Sequence, residues 1–121
     1  MLKKDILNII NKAYPKIAKY YNSNAKVELH NNIYERLSGI SEMSGEECPH
    51  AEYDWSENKI YIYAIKMDNE EQIIRSLIHE CVHSIQNKEL FDAYYDMDMC
   101  YNTHPYEIEA HYEEENWKKY K

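Results

Sequence analysis

The stretch from Asp68 to Lys88 reads Asp-Asn-Glu-Glu-Gln-Ile-Ile-Arg-Ser-Leu-Ile-His-Glu-Cys-Val-His-Ser-Ile-Gln-Asn-Lys. Its pattern predicts a helix. Asp68 followed by Glu71 has the form of a capping box with Asp at the cap. Glu70 and Glu71 put negative charge in the first turn, where the helix dipole favours it. Ile74, Leu77, Ile78, Cys81, Val82 and Ile85 recur at helical spacing as an apolar stripe. Gln72, Ser76, His79, His83 and Gln86 make a polar stripe at the same spacing, and no Gly or Pro interrupts either. One face suits a core, and another presents both histidines.

Those histidines frame His79-Glu80-Cys81-Val82-His83, the pattern H-E-x-x-H. Side chains four apart stand one turn from each other on one helix face. From there two imidazoles can reach a single zinc ion at about 2.0–2.1 Å each. Glu80 is placed to take a proton from water that such a metal polarises. A catalytic zinc also needs a third protein ligand and an open position. A third His six residues past the motif would make the metzincin pattern, but Glu89 stands there and Gln86 replaces the required Gly. The downstream candidates are then Glu89, Asp92, Asp96, Asp98, His104, Glu107, Glu109 and His111.

The best of them fall in a second predicted helix. Pro105 suits a first helical position, and the stretch from there to Tyr120 holds no Gly and no further Pro. Glu107, Ala110, His111 and Glu114 share one face; Ile108, Tyr112 and Trp117 lean toward another. The small Ala110 permits close approach to a neighbouring helix. Glu113, Glu114 and Glu115 read as a solvated acidic run.

The segment Glu107-Ile108-Glu109-Ala110-His111 resembles the second helix of gluzincin metallopeptidases, in which a Glu ligand is followed four residues later by Asp, Asn or a similar supporting residue. The pattern is similar in thermolysin-like, CAAX-type and ImmA/IrrE-type enzymes, and the chain's size resembles the minigluzincin form. The resemblance covers Asp68 to about Glu115. It implies His79, His83 and Glu107 as zinc ligands, Glu80 as general base, and His111 in the supporting place. His111 departs from the usual Asp or Asn, which leaves Glu109 or His111 itself open as third ligand. The upstream chain agrees with that family. Lys59 to Ala64 alternates Ile and Tyr as a strand, Ser56-Glu57-Asn58 is a turn, and His50–Asp54 is a hairpin partner at the sheet edge. Ala25–His30 is a further strand. In zincins the edge strand pairs with an extended substrate through main-chain hydrogen bonds.

Ile6, Ile9, Ile10, Ala13, Ile17 and Tyr20 predict an N-terminal helix, kinked or divided near Tyr14 by Pro15 and ended by Asn22-Ser23-Asn24. Leu37–Cys48 holds both glycines, Gly39 and Gly45, and reads as a loop bordering the cleft; Phe91–Thr103 reads as the link between the ligand helices. Its acidic alternation lacks the Gly and terminal Glu of a calcium loop. The expected architecture is α+β and zincin-like: an N-terminal helix, a small mostly antiparallel sheet, the motif helix and a C-terminal ligand-bearing helix, in one domain spanning residues 1–121.

The chain's 121 residues suffice for one small core. A net charge of −8, without a basic stripe, argues against nucleic acid or an anionic membrane as partner. No signal peptide or apolar run of membrane-spanning length is evident. Cys48, Cys81 and Cys100 lack metal-type spacing, so a reduced, cytoplasmic setting is expected, with Cys81 in the core. Thirteen tyrosines against one Phe mean aromatic mass with polar tips. The functional expectation is a zinc-dependent metallopeptidase acting on a peptide or protein substrate. Tyr101, Tyr106, Tyr112, His104 or His111 would steady the developing oxyanion. The alternatives are a zinc-binding module without activity and a metal-free acidic interaction domain.

Overall fold

The structure, a computed structural model, describes residues 1–36 and 48–121. The predicted loop over Leu37–Cys48 therefore lies outside the described residues, apart from Cys48, which is buried. Among the described residues the architecture is α+β: five α-helices and a three-stranded sheet.

Helix α1 (Lys3–Tyr21) buries Ile6, Ile10, Ala13 and Ile17 against helix α3 (Glu70–Ser84). It runs undivided through Pro15, so of the expected kink or division the division does not occur. Pro15 lies on the exposed side, where the Asn11 carbonyl that loses its N–H partner can turn to water. Tyr20, expected on the buried stripe, is exposed. Asn22 ends the helix in the left-handed region at φ 55°.

Strands β1 (Lys26–His30), β2 (Ala51–Asp54) and β3 (Lys59–Tyr63) form a sheet of order β1-β3-β2. The sheet is mixed rather than mostly antiparallel. β2 and β3 make the expected hairpin, while β1 joins β3 in parallel, with Val27 opposite Ile60. The connection that includes helix α2 (Ile33–Arg36) begins at His30 and ends at Ala51, both at the Tyr63 end of β3, and β2 itself carries the chain back so that β3 can run parallel to β1. Asp54 Oδ1 closes the hairpin turn by accepting from the N–H groups of Ser56 and Glu57. The pleat sends Val27, Leu29, Ala51, Tyr53, Ile60 and Ile62 toward the helices. Tyr61 and Tyr63 lie on the other face with Cys48. There the Tyr63 hydroxyl donates to Glu52 and accepts from Arg36, so its burial leaves no polar atom unpaired.

β2 is an edge strand, as expected for His50–Asp54. The Tyr63 N–H donates to the His50 carbonyl, which fixes the alternation of the ladder. Glu52 and Asp54 turn their main-chain groups to β3, and Ala51 and Tyr53 turn theirs outward, where no strand of the described residues pairs with them.

Helix α3 sits at the centre, packed on α1, the sheet and helix α5 (Pro105–Glu113). Its N-cap is Asn69, not Asp68: Asn69 Oδ1 accepts from the Gln72 N–H, and Gln72 Oε1 accepts in return from the Asp68 N–H. The helix ends at Ser84, short of Lys88, which leaves Ile85 exposed. Ile73, Ile74, Leu77, Ile78, Cys81 and Val82 are fully buried. Helix α4 (Lys88–Asp96) occupies much of the predicted linker. It buries no residue fully, so no apolar stripe announced it. The second predicted helix divides into α5 and a 3-10 segment, Glu114–Tyr120, that returns Trp117 and Tyr120 to the core. Among the described residues no helix is long and apolar enough to cross a membrane. Replacing Asn69 by Ala should cost about 1 kcal/mol, read from the urea midpoint, whereas Asp68→Ala should leave that midpoint nearly unchanged.

Candidate metal centre

The polar stripe of α3 meets the buried face of α5 at one point. Ala110 is completely buried there, and its lack of a larger side chain lets the two backbones approach closely. One turn earlier on α5, Glu107 reaches across to α3. Its Oε1 lies 3.1 Å from His79 Nε2 and within hydrogen-bond distance of His83 Nε2. All three residues are buried, and one ligand atom from each falls within 4.8 Å of the others. The structure thus brings together His79, His83 and Glu107, the three residues that the resemblance implied. Glu109 is exposed and stands outside this cluster. The same holds for Glu89, Asp92, Asp96 and Asp98.

The far nitrogens of both imidazoles are held as donors. Gln86 donates its amide N–H groups to the Tyr106 carbonyl and to Glu109, so its own carbonyl faces His83 and accepts from Nδ1 at 2.6 Å. Glu114 Oε2 accepts from His79 Nδ1 at 2.8 Å and lies 2.9 Å from His111 Nδ1. With Nδ1 occupied by a proton, Nε2 of each neutral ring carries a lone pair aimed at an anionic oxygen. Three electron-rich atoms converge on one place, and a cation must separate them: protons or a metal ion. In the metal-free protein the charged form of His79 is favoured. Burial opposes the charged ring, but the carboxylates of Glu107 and Glu114 outweigh it and hold the ring's pKa up to about 10. Burial likewise opposes the Glu107 anion, and the two histidines overcome it and hold that carboxyl well below the usual range.

Glu114 is a correction. It was expected to be solvated, with His111 supporting the ligands. Instead the Glu114 side chain is only 14% exposed and takes the supporting place itself, with His111 behind it. His111 Nε2 in turn meets the Tyr101 hydroxyl at 2.7 Å. The signal was present in the sequence, because Glu114 follows Glu107 by two turns on the same face. The turn to 3-10 geometry at Glu114 carries the backbone onward without removing that side chain from the site. Glu113 is also partly covered and accepts from the Tyr21 hydroxyl, whereas Glu115 is exposed.

A cleft of about 920 Å³ opens on the cluster, bounded by β2 and its turn on one side and by α3, α4 and α5 on the other. Glu80 lines it beside His79 and His83. Its carboxyl makes no hydrogen bond to the described residues, and burial raises its pKa against the pull of the neighbouring histidines. Of the residues considered for an oxyanion, Tyr101 and His111 line the cleft. His104 does not. It is fully buried, donates from Nε2 to the Phe91 carbonyl, and caps α5 by accepting the Tyr106 N–H at Nδ1. Tyr106 packs on Tyr94, and Tyr112 is exposed; neither lines the cleft. Sequence reasoning missed Tyr95, whose hydroxyl donates to Glu107 Oε2 at 3.3 Å from helix α4.

Comparison with protein-family models, with curated proteins and with solved structures finds no match to this chain. The site's own geometry therefore carries the functional reading.

Two outcomes are expected. If the cluster holds zinc, Glu114→Ala should weaken that affinity about 10–100-fold in a competition titration while the fold, followed by circular dichroism, is retained. If the cluster takes up zinc, loading at pH 8 should release at least about one proton, read by calorimetry in buffers of different ionisation enthalpy, because His79 is still charged there. An ordinary imidazole would already be neutral at that pH, so a heat independent of buffer would contradict this assignment. Affinity should accordingly fall as the pH falls.

Proposed function

We propose that this chain is a zinc-dependent peptidase whose ligands are His79, His83 and Glu107 and whose general base is Glu80. The observation that carries the reading is the convergence of two imidazole Nε2 atoms on one buried carboxylate oxygen, with both Nδ1 atoms held as donors. That donor set, two nitrogens and an oxygen, suits zinc, and three protein ligands leave a position open for water or substrate. When bound, zinc would act as a Lewis acid that acidifies water and polarises a carbonyl.

The chain's residues divide the remaining work. His79 and His83 are oriented by Glu114 and Gln86, which keeps their Nε2 lone pairs aimed at one point. Glu107 adds negative charge and is steadied by the Tyr95 hydroxyl. Glu80 faces the cleft without a competing partner among the described residues, and its raised pKa brings it nearer to neutral pH, as a proton acceptor requires. It would take a proton from the attacking water and deliver it to the leaving amine. The outward N–H and C=O groups of Ala51 and Tyr53 border the same cleft, so an extended peptide could pair with β2 and lie across the site.

The test is elemental analysis of protein purified without chelators, combined with cleavage of denatured casein. Wild type should carry about one zinc per chain and cleave. Glu107→Ala should lose the zinc. Glu80→Gln should keep it and lose about 10²–10⁴-fold in rate. A wild type that takes up no zinc even after addition would end the proposal, as would a Glu80→Gln variant of undiminished activity.

A further inference from the structure

We infer that Trp55 and Phe91 form the pocket that selects an apolar, preferably aromatic, substrate side chain beside the scissile bond. The inference rests on the peptidase reading and extends it to substrate class. Most of the residues around the cleft are charged or polar, but one wall is aromatic. Tyr53 meets Trp55 edge-on with centroids 4.9 Å apart, Trp55 meets Phe91 at 5.5 Å, and Phe91 ends against the ring of His83 at 5.2 Å. This series joins the substrate-facing edge of β2 directly to a ligand of the candidate metal centre. Trp55 and Phe91 are both half-buried, so each retains surface toward the cleft.

The register of the sheet says which substrate side chains would meet this wall. Ala51 and Tyr53 point to the helix side of β2, and the Trp55 ring continues along Tyr53. A peptide paired outside β2 has the same alternation, so every second side chain points to the helix side, toward α3 and the aromatic wall. The intervening ones point to the opposite side, where Glu52 and Arg36 form an ion pair. Composition sharpens the point. In a chain with thirteen tyrosines, the single Phe stands against His83. A hydroxyl is absent from the ring next to the reacting position, which suits an apolar guest, whose carbon surface gains most from leaving water.

The experiment uses zinc-loaded protein and two zinc-chelating probes: acetohydroxamic acid, with no side chain to place, and 3-phenylpropionohydroxamic acid. Affinities are measured by calorimetry for wild type, Trp55→Ala and Phe91→Ala. In wild type the phenyl probe should bind at least about tenfold more tightly, the gain from burying most of one ring. Each truncation should remove most of that gain and leave acetohydroxamic acid unchanged, which also shows that the variant keeps its folded metal centre. If acetohydroxamic acid binds wild type and the phenyl gain is absent, or survives both truncations, the pocket assignment is wrong and the metal reading stands. If neither probe binds zinc-loaded wild type, the peptidase reading fails and the inference fails with it.

Discussion

Two imidazoles and two carboxylates are kept from water where α3 meets α5, and that burial constrains everything around them. Groups of this kind are costly to desolvate unless each finds a partner. His79 and His83 can be buried because Glu107, Glu114 and Gln86 arrive from outside α3 to meet them. Glu107 can arrive only because Ala110 allows the helices to touch. The apolar side of α3 supplies the opposing requirement, since Ile74, Leu77, Ile78 and Cys81 pin the helix against α1 and the sheet. The helix is thus held rigidly from behind while its polar face is presented to the cleft, an arrangement that favours precise side-chain placement.

The parts of the structure legible in the sequence are those fixed by local periodicity. α1, α3, the β2–β3 hairpin and the start of α5 all follow from spacing, turn residues and Pro105. That α5 would meet α3 was legible from Ala110 and its carboxylate-bearing face, but Glu107 stood out from Glu109 and His111 only through the resemblance of its segment to a known pattern. What escaped has identifiable causes. Asn69 outcompeted Asp68 as cap by one residue, a difference that a pattern with two adjacent cap formers cannot resolve. Helix α4 has no buried stripe and is held instead by Asn87 at its cap and by aromatic contacts of Phe91 and Tyr95 with distant residues. The parallel pairing of β1 depends on which strand of the β2–β3 hairpin docks beside it, and the strand's own residues do not encode that.

Glu114 shows a different kind of miss. As one of three consecutive glutamates it reads as solvated, because composition says nothing of which member faces inward. Its role depends on the meeting of two helices, as does that of Gln86, which lies beyond the end of α3 yet still reaches His83. Outer partners of a ligand are set by tertiary geometry. They lie beyond the reach of motif spacing, although they determine which nitrogen each ligand presents.

The outer edge of β2, which no strand of the described residues covers, has another side. An unpaired edge that could receive an extended peptide could equally receive the same edge of a second molecule, the usual beginning of aggregation. Glu52 on this short strand is offset by Arg36, but Asp54 stands beside it and the whole chain is strongly acidic. Two copies drawing together edge to edge would therefore meet mutual repulsion, while a less acidic chain would not. That protection is electrostatic and acts over roughly 10 Å at moderate ionic strength. Concentrated salt would weaken it, so colloidal stability in this protein should depend more on ionic strength than its folding does.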